Sequence, residues 1–253
     1  CSTACSLPPM YEATGHHFRV ARDCLEAGVH VLVEKPIATT LAEADSLLDL
    51  AGKKGLVLQV GHLQRFNPAF QALAADGGRP LFIDIERLAP FKARGVDVDV
   101  VLDLMIHDLD LALALARAPV EQVSASGFRV LTEAIDIANA RIEFADGCIA
   151  SVSASRVSQV PVRKLRVFRH DSYVSADLQE QKLRTVRKDA RKGGDGIVES
   201  EQAFQRADQL LVAGALAGQR HGPADGDDAG VGALGGVGRE TAFERLEVID
   251  ELA

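Results

Sequence analysis

The sequence has no run of basic residues, no uninterrupted apolar stretch long enough to cross a membrane, and no cysteine pair at metal-binding spacing. Each absence removes a class of function. Nucleic acid binding needs clustered Lys and Arg to displace phosphate counterions, whereas here 28 basic residues are scattered among 36 acidic ones for a formal charge of -8. The longest apolar candidate, residues 102–116, is interrupted by Asp103, His107, Asp108 and Asp110, so no membrane span is expected. Cys1, Cys5, Cys24 and Cys148 form neither a Cys-x-x-Cys nor a His-spaced pattern. A metal site and a disulfide framework are therefore not expected, and a reduced, cytoplasmic setting is. Residues 1–13 also lack the basic start and apolar middle of a signal peptide.

What remains is ordinary globular material: 253 residues, 47% hydrophobic and 25% charged, enough for one large domain or two smaller ones. Apolar residues at helical spacing over 17–27, stopped by Gly28, are followed by the β-favouring run 30–33, which reads as a strand buried on both faces. Thr39 or Thr40, with Glu43 as a capping-box partner, opens a helix over 41–53; Gly55 closes it, and a second apolar strand spans 56–60. This alternation predicts a parallel α/β domain over 1–78, with 1–13 irregular. After Pro80 the pattern turns to longer β segments at 81–88, 120–130, 135–144, 148–157 and 165–174, with Asp146-Gly147 as a hairpin turn and one helix over 101–117. These predict a second domain, 79–253, of α+β type around a mostly antiparallel open sheet. Residues 184–196 read as a charged loop, 199–216 as a helix, 218–238 as a low-complexity stretch and 239–252 as a closing helix.

Two clusters carry chemistry. Glu34-Lys35-Pro36 stands at the carboxyl end of the first strand, where open α/β sheets bind ligands, and Pro36 forces Lys35 out of the α region. A lysine fixed there can hold a substrate hydroxyl or carry a proton; the same three residues are equally compatible with a plain turn. His62, Arg65 and Asn67 follow the second strand in the same way, before a helix that starts at Pro68; for Arg65 a surface salt bridge is an equal alternative. In the helix over 101–117, i, i+4 and i+7 spacing places Asp103, His107 and Asp110 on one stripe. Carboxylates flanking an imidazole orient it for proton transfer, and too few further ligands are nearby for a metal. The G-x-G-x-x-G at 230–235 follows no apolar strand, which argues against a dinucleotide loop.

Taken together and in order, Gly28…Val33-Glu34-Lys35-Pro36, Gly61…Arg65-Phe66-Asn67-Pro68 and Asp103…His107…Asp110 resemble the Gfo/Idh/MocA family of nicotinamide-dependent sugar oxidoreductases, over about residues 14–178. The resemblance implies a Rossmann-like domain followed by an α+β domain whose open sheet mediates homo-oligomers. It implies NAD or NADP as cofactor, near Thr14, His17, Glu34, Lys35 and Pro36. Lys35 would bridge nicotinamide and substrate, His107 would be the acid/base, Asp103 would assist it or bind the sugar, and Arg65, Asn67 and Asp110 would lie near the substrate. The Arg-Phe-Asn-Pro run and the residues around His107 look most like members of the UDP-N-acetylglucosamine 3-dehydrogenase type, so a nucleotide sugar is the expected substrate. A non-sugar reductase of the same fold, such as a biliverdin reductase-like enzyme, and a catalytically silent scaffold are the alternatives. Upstream of Thr14 nothing resembles the strand and glycine-rich loop that seat the pyrophosphate. The Rossmann-like domain is therefore expected to be truncated, and NAD(H) to bind weakly.

Overall fold

The structure, a computed structural model, describes residues 14–92, 98–189 and 196–205. They fall into two compact units, 14–63 and 64–205. The boundary lies ahead of the expected 78/79, because the helix after residue 67 packs on strands of the second unit.

In the first unit, helix α1 (His17–Glu26) buries Ala21 and Leu25. It ends where Gly28, at φ 80°, turns the chain back, with the Gly28 N–H donating to Leu25 O and the Val29 N–H to Cys24 O. Strand β1 (Val31–Val33) then pairs in parallel with β2 (Leu58–Val60). The strand is not covered on both faces as expected: Val31 and Val33 are buried, but Leu32 is 36% exposed. Between the strands runs α2 (Leu41–Lys54). The Thr40 side chain accepts from the Glu43 N–H, and Glu43 reaches back to the Thr39 N–H and hydroxyl, so the expected capping box forms with its return bond one residue early. Gly55 at φ 62° closes the helix. Leu25 and Leu47 are fully buried in the core between α1, α2 and the strands, each contributing about 1.5–3 kcal/mol by leaving water.

In the second unit, a 3-10 turn (Leu63–Phe66) leads into α3 (Pro68–Ala75), with Pro68 at the first helical position as expected. The sheet consists of β3 (Phe82–Pro90), β4 (Val120–Phe128), β5 (Ile137–Phe144), β6 (Ile149–Ser158), β7 (Val162–Phe168), β8 (Ser172–Asp177), β9 (Lys182–Lys188) and β10 (Ile197–Ala203). Its order is β10-β9-β8-β7-β3-β6-β5-β4. Only β3 and β6 run parallel; every other pair is antiparallel. Side chains alternate across it: Ile83, Ile85, Val152, Leu165 and Val174 are buried on the face that α3 and α4 (Ile106–Ala116) cover, while Asp84, Glu86, Arg166 and Phe168 lie on the other. The Asp146-Gly147 turn joins β5 to β6, with Gly147 at φ 82°.

Three expectations are corrected. The segment 165–174 is two strands, because Arg169-His170-Asp171 makes a hairpin turn, closed by the Arg169 N–H to Ser172 O, without Gly or Pro to signal it. Residues 184–188 are not loop but belong to β9, and 199–203 are not helix but belong to β10. All of β10 is exposed, so no apolar face marks it, and charges suit an edge strand. The readings for 1–13, 218–238 and 239–252 lie outside the described residues, as does most of 199–216. Among the described residues no helix is long and apolar enough to cross a membrane.

Candidate active site

In the first unit the candidate residues gather at the carboxyl ends of β1 and β2. The Gly61 N–H donates to Val33 O at 2.7 Å, which locks the two strand ends together. Glu34 then folds its carboxylate over the bare Cα of Gly61, and a methyl group there would meet the carboxylate at 3.2 Å. The Lys35-Pro36 peptide is cis. Nδ1 of buried His17 lies 2.8 Å from Pro36 O; since a carbonyl only accepts, Nδ1 carries the proton. Two residues expected near the cofactor, His17 and Pro36, are thus joined, and Lys35 between Glu34 and Pro36 is half-buried. Thr14 opens the 3-10 turn (Thr14–His16) that leads into α1.

In the second unit the helix bearing His107 does not begin as a regular α-helix. Its first turn, Val101–Met105, is a π turn that continues into α4. Single π turns widen the helix and recur at functional sites. Asp103 and His107 are half-buried, whereas Asp110 is 0% exposed. His107 and Asp110 stand three residues apart in regular α-helix, and Asp103 stands in the wider turn before it. Asp110 is instead spent on Arg65, whose Nε and Nη2 donate to its two oxygens at 2.6 and 3.1 Å. The salt-bridge alternative for Arg65 is the one observed, but it is buried rather than superficial. Asn67 is likewise committed: its Oδ1 accepts from the Ala69 N–H and its Nδ2 donates to Leu178 O, which caps α3 and ties it to the end of β8.

A second fork was not anticipated. Arg87 in β3 donates through Nε and Nη2 to Asp108 at 2.7 and 2.6 Å, and both side chains are nearly fully buried. Burial alone would lower the Arg87 pKa, but the Asp108 and Asp103 carboxylates outweigh it and raise it above the ordinary guanidinium value. The available signal was a charged residue continuing the inward alternation Ile83, Ile85, Arg87. Farther along the sheet, buried Asp136 accepts from the backbone N–H groups of Val130, Leu131 and Thr132, from the Thr132 hydroxyl and from Arg156 Nε. Arg156 Nη1 donates to Val98 O, and Asp99 accepts from the Ile135 N–H, so this network pins the segment that enters the π turn. Among the described residues no three His, Cys, Asp or Glu side chains gather as a metal ion would require.

Residues 5–62 match the model for the Gfo/Idh/MocA oxidoreductase family with an NAD-binding Rossmann fold, and residues 85–171 match the Gfo/Idh/MocA C-terminal domain. The chain is 44% identical over 171 residues to a UDP-N-acetylglucosamine 3-dehydrogenase of Acidithiobacillus ferrooxidans, which covers 67% of this chain and 55% of the relative. It is 29% identical over 161 residues to a scyllo-inositol 2-dehydrogenase (NAD(+)) of Bacillus subtilis, covering 57% of this chain and 47% of the relative. A solved structure of UDP-N-acetylglucosamine 3-dehydrogenase from Acidithiobacillus ferrooxidans superposes with a TM-score of 0.82 at 35% identity, over 95% of this chain and 76% of that one. The chain spans about half the length of the curated relatives it matches. With both family models aligned in order, and the fold shared with a protein more than a third identical to it, the chain belongs to the Gfo/Idh/MocA oxidoreductase family.

Proposed function

We propose that this chain supports NAD(P)-dependent oxidation of a sugar or nucleotide-sugar hydroxyl, of the UDP-N-acetylglucosamine 3-dehydrogenase type. The observation that carries the reading is the 44% identity over 171 residues to a protein of that name. The bare Cα of Gly61 lets Glu34 close against it and His17 fixes the Pro36 carbonyl, which keeps Glu34, Lys35 and Pro36 at the carboxyl ends of parallel strands, where open α/β sheets bind ligands. Thr14, His17, Glu34, Lys35 and Pro36 would hold a nicotinamide cofactor there. The bound nicotinamide supplies the hydride acceptor for the substrate ring carbon. His107 removes the hydroxyl proton through a neutral imidazole nitrogen, and Asp103, one turn earlier, stabilises the imidazolium that results. By the family resemblance, Lys35 would bridge nicotinamide and substrate, where an ammonium steadies developing negative charge. Arg65, Asn67 and Asp110 would lie near the substrate, and they also hold the turn and helix around His107 through the Arg65–Asp110 fork and the two Asn67 bonds.

In this reading the unit up to residue 63 serves the cofactor and the unit from residue 64 serves substrate and assembly. The open face of the sheet carries Phe82, Phe168 and Tyr173, with ring centroids 5.9 and 5.0 Å apart, and is the surface offered to a second copy; sedimentation as a monomer would remove that part. A cytoplasmic setting completes the proposal. The test is turnover of UDP-N-acetylglucosamine at high NAD+ concentration, read as reduced nicotinamide absorbance, in the wild-type chain and in His107→Ala. Loss of an acid/base group is expected to lower kcat by about 10²–10⁴-fold. A wild-type chain that neither turns over nor binds this sugar in calorimetry sinks the reading. Micromolar NAD(H) affinity in the same calorimeter would overturn the expectation of weak cofactor binding.

A further inference from the structure

We propose that Arg87, gripped by Asp108, is the positioning residue of the catalytic turn: it holds the Asp103 carboxylate and the His107 imidazole in their working arrangement. The inference deepens the proposed function and rests on it. Arg87 stands at the carboxyl end of β3, on the face that Ile83 and Ile85 spend on the core, and is 3% exposed. A guanidinium in that place is costly to bury, and an apolar residue would pack there at least as well. What an apolar residue cannot do is grip a carboxylate. Asp108 takes both prongs of the fork, which ties β3 to the helix that carries His107 and, one turn earlier, Asp103.

The helix geometry makes that arrangement possible. On a regular α-helix, residues five apart point about 140° away from each other, and one arginine would not face both. Asp103 stands inside the π turn at Val101–Met105, whose smaller rotation per residue narrows that angle. His107 is adjacent to Asp108 in the chain and one turn from Asp103, so rotating the helix about its axis would move both candidate groups at once. The Arg65–Asp110 fork grips the same helix two residues after Asp108. With one fork on either side of His107, rotation is blocked in both directions.

The test compares the double variant Arg87→Met/Asp108→Leu with Arg87→Lys. Replacing both partners by apolar groups preserves folding, which circular dichroism checks, and removes the fork. Positioning predicts that kcat for UDP-N-acetylglucosamine falls by at least about tenfold, while KM stays within about twofold. Arg87→Lys keeps the cation without the planar fork and is expected to recover part of kcat. Wild-type kcat in the folded double variant, or a change confined to KM, overturns the proposal. Should the double variant fail to fold, Arg87→Lys decides: reduced kcat at unchanged KM supports positioning, and wild-type kcat refutes it. If the wild-type chain shows no turnover, the functional reading has failed on its own. The His107 imidazole proton resonance then carries the test, one sharp line in the wild type and a broadened or doubled line in Arg87→Lys supporting the positioning role, and identical lines refuting it.

Discussion

The two units hold their candidate groups by different physical means. At the ends of β1 and β2, Glu34, Lys35 and Pro36 are held by the Gly61 N–H bond to Val33 O, by the His17 Nδ1–H that donates to the Pro36 carbonyl, and by a glycine without a side chain. Around α4, Asp103 and His107 are fixed by charge: two buried arginine forks grip Asp108 and Asp110. The first arrangement is sensitive to added volume. The second tolerates little loss of charge, because an arginine or carboxylate left buried without its partner is far costlier than the intact pair is beneficial.

The largest effect is expected from breaking one fork. Arg65→Met removes the fork from Asp110, which is 0% exposed, and breaking a buried pair of this kind should cost about 3–5 kcal/mol; lost hydrogen-exchange protection along α4 is the measurement, and unchanged protection would mean the fork is not what restrains the helix. A smaller effect separates volume from charge in the first unit. Gly61→Ala places a methyl group 3.2 Å from the Glu34 carboxylate and should cost about 1–3 kcal/mol. Gly52→Ala, inside α2 with nothing within 4 Å of the new methyl, should instead stabilise by about 1 kcal/mol. Urea unfolding of both variants checks the pair, and equal shifts of the same sign would contradict the steric account.

The smallest effect is confined to acid. Burial tends to raise the Asp136 carboxyl, but the Thr132 hydroxyl, Arg156 and the backbone N–H groups of Leu131 and Val130 hold it well below the usual carboxylate range. A carboxyl depressed in the folded state adds stability that is complete above its unfolded value of about 3.9 and fades as pH falls below it. Asp136→Asn should therefore show a flatter decline in stability below that pH than the wild type, and parallel declines would show that other carboxyls govern the acid limb.

Much of the fold was legible because its signals are local. Gly28, Thr40 with Glu43, Gly55, Pro68 and Asp146-Gly147 each act within a few residues, and each stands where the pattern put it. The strands of the large sheet were visible wherever one face is buried. They were missed where that contrast disappears, as in β10, or where an ordinary tripeptide turns the chain, as at 169–171. At the candidate site, the sequence singled out Asp103, His107 and Lys35 but did not show how the side chains around them pair. Arg65 and Asp110 are 45 residues apart, and Arg87 and Asp108 are 21 apart, so no local pattern couples them. The π turn is equally silent: its residues, Val101–Met105, carry the same apolar spacing that a regular helix would.

The place of β3 at the heart of the large sheet has a consequence for how the chain is made. Both its neighbours, β6 and β7, are encoded well downstream, beyond the helix and hairpin that intervene. As the polypeptide leaves the ribosome, Ile83 and Ile85 emerge with no strand yet available beside them, and Arg87 emerges before Asp108. Central pairing of this kind must await distant sequence and carries a loop-closure penalty that local hairpins avoid. The β7–β8 and β5–β6 hairpins can close as soon as they are synthesised, whereas β3, the strand beneath α4, must wait for both of its partners.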